Sequence, residues 1–414
     1  MKTNFTSQQL ADPQLAEADR ILRACVHCGF CTATCPTYVI TGDERDSPRG
    51  RIYMMQEMLE QGGKPSPETV KHVDRCLSCL SCMTTCPSGV HYMHLADQAR
   101  AYIEKHYERP GFERLLRFVL NWTLTTPMLL RVALKLAKWM RFLAPIMPKP
   151  VAAMLRMAPD NLPDAQDFTG THMAKNRQMR VALLTGCAQS VIDPEINAAT
   201  IRLLNRFGVE IVVPEAQGCC GALSLHLGKT EGAKRMARAN VKAWEQARVD
   251  HVIVNTSGCG TVVKDYGHLI GQNEMAAKTL DVSELLARLQ LPKLEARHFK
   301  IAYHSACSLQ HGQKVTGVAE GLLRQAGFDL VPVAEGHMCC GSAGTYNMLQ
   351  PEMAAELGKR KRANLTAKNP DAIVAGNLGC ITQIAQGLDV PVLHLVELLD
   401  WAYGGPKPAK LERG

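Results

Sequence analysis

The sequence predicts an α+β, multidomain chain: a mainly helical, cysteine-rich N-terminal domain followed by a duplicated α/β module built on a parallel sheet. Three observations carry this. Eight of the sixteen cysteines fall into two tight runs ahead of residue 90, with helical patterns around them. The other eight recur at a nearly fixed offset: Cys187, Cys219 and Cys220 return 120 residues later as Cys307, Cys339 and Cys340, and Cys259 returns 121 later as Cys380. Around these, short apolar runs alternate with helical patterns, the order that forces parallel strands joined by right-handed crossovers. At 414 residues the chain has room for two or three domains. The predicted units are 1–110, a basic helical segment 111–158, a polar linker 159–179, a first module 180–295 and a second module 296–414.

The opening stretch, "MKTNFTSQQLADPQLAEADR", has no basic head followed by an apolar run, so no secretory leader is expected. Many cysteines in such a chain point to a reducing compartment and to metal ligation rather than disulfides. The expected location is cytoplasmic.

The first run, "ILRACVHCGFCTATCPTY", places Cys25, Cys28, Cys31 and Cys35 ahead of Pro36; the second places Cys76, Cys79, Cys82 and Cys86 ahead of Pro87. Both read C-x2-C-x2-C-x3-C-P, the two-cluster ferredoxin spacing in which the fourth cysteine of each run serves the other run's cluster. The expected ligands of one [4Fe-4S] cluster are Cys25, Cys28, Cys31 and Cys86; those of the other are Cys76, Cys79, Cys82 and Cys35. Tetrahedral zinc prefers paired C-x2-C units separated by a longer loop, and disulfides between such near neighbours would be strained. Between the runs, "SPRGRIYMMQEMLEQGG" sets Ile52, Met55, Met58 and Leu59 at helical spacing and stops at Gly62-Gly63. After the second run, "HYMHLADQARAYIEKHY" is again helical. A ferredoxin domain with long helical insertions fits this spacing better than a small two-sheet one. Arg45, Arg49, Arg51 and Arg75 lie near the cluster loops in sequence, where a guanidinium would stabilise an anionic cluster. An ordinary solvated or ion-paired side chain is the competing reading for each.

Residues 111–158 carry Arg114, Arg117, Arg131, Lys135, Lys138, Arg141, Lys149 and Arg156 against one acid, Glu113, and so hold nearly all of the chain's net +8. The longest uncharged stretch, Phe118 to Leu130, is too short to span a bilayer and contains Pro127. Leu129, Leu130, Ala133, Leu134, Ala137, Met140 and Leu143-Ala144 share one helical face; the basic residues and Trp139 lie off it. That is the composition of a helix lying in a membrane interface, or of one packed on a neighbouring domain or subunit.

In the first module Val181–Leu184, Val209–Val213 and Val252–Val254 read as buried strands, with a helix marked by Ile196, Ala199, Leu203, Leu204 and Phe207 between the first two. Cys187 then follows the first strand, Cys219-Cys220-Gly221 the second and Cys259 the third, so all four emerge at the carboxyl edge of one sheet, where open α/β sheets place their sites. Cys307, Cys339, Cys340 and Cys380 repeat this. A further cluster or a redox site is the expectation; buried, inert thiols are the plainer alternative. His226, His304, His311 and His337 lie near these loops, each expected to be a hydrogen-bonded structural histidine.

These modules resemble the cysteine-rich CCG domain shared by heterodisulfide reductase subunits, lactate-utilisation proteins and the iron-sulfur subunits of glycolate and glycerol-3-phosphate dehydrogenases. The family's fullest form ends in C-x-x-C and carries an unusual cluster; here Thr256 and Asn377 stand where the earlier cysteine would be. Through "ILRACVHCGFCTATCPTY", "GDERDSPRGRIY" and "CCGSAGTY" nearly the whole chain is similar to the iron-sulfur subunits of bacterial glycolate oxidase. The resemblance implies an electron-transfer subunit, not catalytic on glycolate alone. Its FAD-containing partner subunits would oxidise glycolate to glyoxylate, and electrons would pass one at a time through two [4Fe-4S] clusters toward a quinone or other membrane acceptor. It also implies a peripheral position on the cytoplasmic face of the inner membrane.

No G-x-G-x-x-G between a strand and a helix, no phosphate-binding loop and no C-x-x-C-H haem attachment is visible. Flavin chemistry is thus expected in a partner, and no nucleic-acid partner is expected. Two alternatives stay open: the corresponding subunit of a glycerol-3-phosphate or lactate dehydrogenase, and a thiol-disulfide reductase that uses the CCG cysteines directly.

Overall fold

The computed structural model describes residues 1–412. Its N-terminal part is helical. Helices Pro13–Ala24, Pro48–Gln61, Pro67–Asp74 and Tyr92–His106 pack around Leu22, Met55, Val73, Leu95 and Ile103. The first three begin alike: Asp12, Ser47 or Ser66 caps the first turn through its side chain, and a proline occupies the first helical position. Such starts satisfy amides that lack an intrahelical partner and preset φ. Pro48–Gln61 stops at Gly62, whose φ of +69° only glycine adopts cheaply. The cysteine runs occupy the loops and short turns between these helices, with Cys25 inside their core and Cys76, Cys82 and Cys86 packed against it, so the core holds both runs in place.

The C-terminal part carries two sheets. The strands are β1 (Gly170–His172), β2 (Met179–Leu184), β3 (Val209–Val213), β4 (His251–Val254), β5 (Thr279–Asp281), β6 (Lys300–His304), β7 (Asp329–Val331), β8 (Ala372–Ala375) and β9 (Val392–His394). The first sheet runs β1-β3-β2-β4-β5 and the second β7-β6-β8-β9. All pairings are parallel except β1 on β3. Apart from β1 the two orders are the same, as a duplication requires. The expected fold class therefore holds: α+β overall, helical first, then a duplicated parallel-sheet module.

Two details differ from the sequence reading. Part of the stretch read as a linker, Gly170–His172, adds an antiparallel edge strand. Each module also has a fourth parallel strand, β5 or β9, leading into a short helix. Three-residue strands are too brief to show a period, and only the neighbouring strand's free edge defines them.

The modules share one core. Helix Glu195–Arg206 packs on helix Leu395–Ala402, and the buried Asp400 receives Arg202 at 2.8 Å and Arg206 at 3.0 Å. The basic segment forms helices Gly111–Thr125, Pro127–Met140 and Lys149–Met157. Of the predicted apolar face Leu130 and Ala144 are buried, the latter in a small cluster with Ala152 and Leu155, but Met140 is exposed, together with a second apolar set in which Trp139 is 81% and Phe142 77% accessible. Arg114, Lys135, Lys138 and Arg156 are exposed around it. No described helix is long and apolar enough to cross a membrane.

Candidate metal centres

The two cysteine runs share a backbone pattern. In the first, His27 has φ +54° and Gly29 +82°; in the second, Ser78 has +50° and Leu80 +62°. These are the third and fifth positions of each run. Left-handed conformations cost an L-residue about 1–3 kcal/mol and persist where surrounding structure imposes them, typically at functional loops. Each run then enters a short helix, Phe30–Ala33 or Ser81–Thr85, which carries its third cysteine, Cys31 or Cys82, and is followed by its fourth.

Two cavities lie between the runs. The larger is lined by Cys25, Cys28, Cys31, Cys82 and Cys86. The smaller is lined by Cys35, Cys76, Cys79 and Cys82. Each cavity thus gathers three cysteines of one run and the last cysteine of the other. Pro48, Cys82 and Tyr92 line both, so the two cavities adjoin.

The donor chemistry suits a cationic iron-sulfur core, whose complex with four thiolates is anionic. Burial raises the Cys79 and Cys82 thiols well above their ordinary range. It also raises Cys76, but the charges of Arg51 and Arg100 more than offset this and leave that thiol lowered. Thiols crowded in apolar surroundings become thiolates readily only when a bound cation compensates their charge. Amide and side-chain donors already face the sulfurs: Ser78 N–H lies 3.5 Å from Cys76 Sγ, the Tyr92 hydroxyl 3.7 Å from the same atom, and Arg51 Nη1 3.9 Å from Cys35 Sγ.

The four arginines separate. Arg51 is buried, donating to the His72 carbonyl at 2.7 Å and to Thr37 Oγ1 at 3.0 Å, with Asp46 beside it at 3.4 Å. Arg75 completes the Asp46 site at 3.0 Å, and Arg49 lines the larger cavity. Arg45 is an exposed surface residue paired with Asp43 and Glu68. Sequence reasoning missed Tyr92 and Arg100, which lie beyond the second run; Arg100 reaches back to the Cys76 carbonyl at 2.7 Å. The signal was their place on the helical face of "HYMHLADQARAYIEKHY" that also carries Leu95, Ala96, Ala99 and Ile103.

In the modules the cysteines lie beyond the carboxyl ends of the strands. Cys187 Sγ is 3.5 Å from Cys219 Sγ, and Cys307 Sγ is 3.8 Å from Cys339 Sγ. Cys259 and Cys380 sit in the first turns of helices Ser257–Lys264 and Leu378–Ile384. Cys219 is the acidified thiol of its set, because hydrogen bonds from Cys187, Cys220 and the Gly221 amide favour its thiolate. Thr256 and Asn377 both take the position just before these helices. Thr256 bonds to Gln189, while Asn377 Nδ2 donates to Cys380 Sγ at 3.3 Å.

The histidines divide as well. His226 pairs with Asp97 at 3.2 Å, and His311 bridges Thr84 Oγ1 at 2.8 Å and the His337 carbonyl at 3.3 Å. His304 departs from the expected pattern: its ring is buried beside Cys340 and Cys380, Nε2 has no partner among the described residues, and burial holds the ring neutral, with its pKa pushed down to about 3. The second module's thiols also adjoin a cysteine of the smaller cavity, since Cys79 packs with Cys307, Cys339 and Met338 in one apolar cluster.

Comparison with known proteins gives consistent matches. A 4Fe-4S dicluster domain model matches residues 24–90, and a cysteine-rich domain model matches twice, at 181–264 and 301–385. The chain is 39% identical to the glycolate oxidase iron-sulfur subunit of Escherichia coli, across 97% of this chain and 99% of that one. It is 30% identical to the probable glycolate oxidase iron-sulfur subunit of Bacillus subtilis, across 92% and 94%. A solved structure of a hypothetical protein from Helicobacter pylori shares the fold at a TM-score of 0.57 and 9% identity, covering 98% of this chain and 76% of that one.

Proposed function

The chain belongs to the family of glycolate oxidase iron-sulfur subunits, and on that premise we propose that it relays electrons from a flavoprotein partner oxidising glycolate toward a quinone or other membrane acceptor. The observation that carries this is the pair of adjoining cavities, one lined by five cysteines and the other by four, with Pro48, Cys82 and Tyr92 common to both. Cys25, Cys28, Cys31 and Cys86 would hold one [4Fe-4S] cluster, and Cys76, Cys79, Cys82 and Cys35 the other. Bound there, the clusters would supply the one-electron steps that connect a two-electron flavin to its acceptor.

The protein's own side chains prepare that task. Arg51 and Arg100 place positive charge against the thiolates of the smaller site, favouring the more reduced and more negative state. The contact of Cys79 with Cys307 and Cys339 makes the second module the natural neighbour of that site. Ser257 N–H donates to the Gly376 carbonyl at 3.2 Å, so the helices bearing Cys259 and Cys380 start side by side and the first module stands next in line. We assign Cys187, Cys219, Cys220 and Cys259, and Cys307, Cys339, Cys340 and Cys380, to further cluster sites on this route. The exposed Trp139 and Phe142 with Lys135 and Lys138 would seat the subunit on an anionic membrane surface.

Anaerobic purification with an iron count and electron paramagnetic resonance on reduction tests the assignment. About eight irons per chain are expected from the two cysteine runs alone, and about twelve or sixteen with the modules occupied. Replacing Cys76 with serine should abolish glycolate-dependent dye reduction in the complex. Iron near zero overturns the relay, and a count of about eight leaves the module cysteines free for thiol chemistry.

A further inference from the structure

The second module carries a buried side chain that the cysteine sets alone do not account for. His304 is the last residue of β6, at the carboxyl end from which Cys307 follows, and its register partner on β8 is Ala375. A ring nitrogen of His304 and the sulfurs of Cys340 and Cys380 all lie within 4.8 Å of one another. The three residues are 2%, 0% and 1% exposed. They come from separate segments: a strand end, the Cys-Cys-Gly turn and the first turn of helix Leu378–Ile384. His304 Nε2 has no hydrogen-bond partner among the described residues.

A polar atom shut away from water without a partner costs free energy, so such an atom calls for a reason beyond packing. The duplication supplies the comparison. Leu184 holds the equivalent place in the first module, ending β2 in register with Val254 of β4, and is 1% exposed. The position therefore accepts an apolar side chain, and the fold does not require an imidazole there. Lys361, the cation whose charge faces the same thiols, donates to the Glu335 carbonyl at 2.8 Å and is committed to it. Imidazole nitrogen and thiolate sulfur both bind iron, and histidine takes the place of cysteine on one iron of some iron-sulfur centres. The ligands of a cluster need not share one iron, so donor atoms spread over a few ångströms suit it.

On the reading that the second module holds an iron-sulfur cluster, we propose that His304 is a further ligand of it, binding iron through its imidazole beside the sulfurs of Cys340 and Cys380. The two modules then carry chemically different sites on the same four-cysteine frame. Cys187, Cys219, Cys220 and Cys259 serve the first alone, and one nitrogen joins Cys307, Cys339, Cys340 and Cys380 in the second. A neutral imidazole adds a donor without adding the negative charge that another thiolate would bring into a buried site.

The test uses the full chain, purified anaerobically with its clusters and grown on histidine labelled with heavy nitrogen in the ring. Pulsed electron paramagnetic resonance across a redox titration should show, on a cluster signal beyond those of the two cysteine runs, a strong coupling to a histidine nitrogen that changes with the isotope. His304→Leu, and independently His304→Gln, should lose that coupling while the signals of the cysteine runs stay. His337→Ala, in the loop before Cys339, should keep it. An iron count of about eight with no further signal overturns the module reading and this ligand together. About twelve irons or more with no histidine coupling in the wild type, with one weak enough for a hydrogen bond, or with a strong one that survives both His304 changes, overturns the ligand alone.

Discussion

Arg51 shows at residue scale what spacing alone leaves undecided. Four arginines near the runs were candidates to sit against the clusters; burial beside Cys35 and Asp46 selects Arg51, while Arg45 stays in solvent. A buried guanidinium persists only when its donors are used, and here they reach the His72 carbonyl, Thr37 and Asp46. Replacing Arg51 with methionine keeps the volume and removes the charge. Denaturant titration should show a loss of about 3 kcal/mol, since Asp46 stays buried with fewer partners. The midpoint of the smaller site's cluster, followed by electron paramagnetic resonance during redox titration, should move to more negative potential, because the reduced cluster loses a neighbouring cation. An unmoved midpoint would show that Arg51 serves the fold alone.

At the scale of elements, the Cys-Cys-Gly turns explain their own glycines. Gly221 has φ +86° and Gly341 +91°. A Cβ on Gly341 would come within 2.6 Å of the Ala354 carbonyl oxygen, and one on Gly221 within 3.0 Å of the Ala233 oxygen. In both modules the turn is pressed against the following long helix, Thr230–Ala247 or Pro351–Thr366, so the paired cysteines are held at a fixed place on the sheet edge. Gly341→Ala combines a left-handed alanine with overlap on helix backbone. It should cost at least about 2 kcal/mol in chemical unfolding and lower the iron held by the second module while leaving that of the cysteine runs intact. Normal iron with unchanged stability would mean the turn relaxes without disturbing the thiols. The positions of β2, β3 and β4, and of the cysteines beyond them, were legible because buried parallel strands read as unbroken apolar runs. The edge strand β1 and the fourth strands were not, being three residues long.

For the whole molecule, the apolar helix face that periodicity selects in residues 127–140 is largely covered, Leu130 completely, while Met140, Trp139, Phe142 and the lysines beside them face solvent. The chain should therefore co-sediment with vesicles rich in phosphatidylglycerol and not with phosphatidylcholine alone. The double change Lys135→Glu, Lys138→Glu should weaken this by tenfold or more, at about 1 kcal/mol per basic residue near an anionic surface. Equal binding to both vesicle types, or to neither, would assign the surface to a partner subunit. The sequence by itself determined the two four-cysteine runs, their crossed pairing as an expectation, the duplication and the parallel sheets, because covalent spacing, internal repetition and apolar periodicity are all local in the chain. Only the tertiary structure decided which arginine touches a thiol, which helix face stays exposed, and that Cys79 meets Cys307 and Cys339. Each of those depends on how segments far apart in sequence share one interior, where burial and charge favour some neighbours and exclude others.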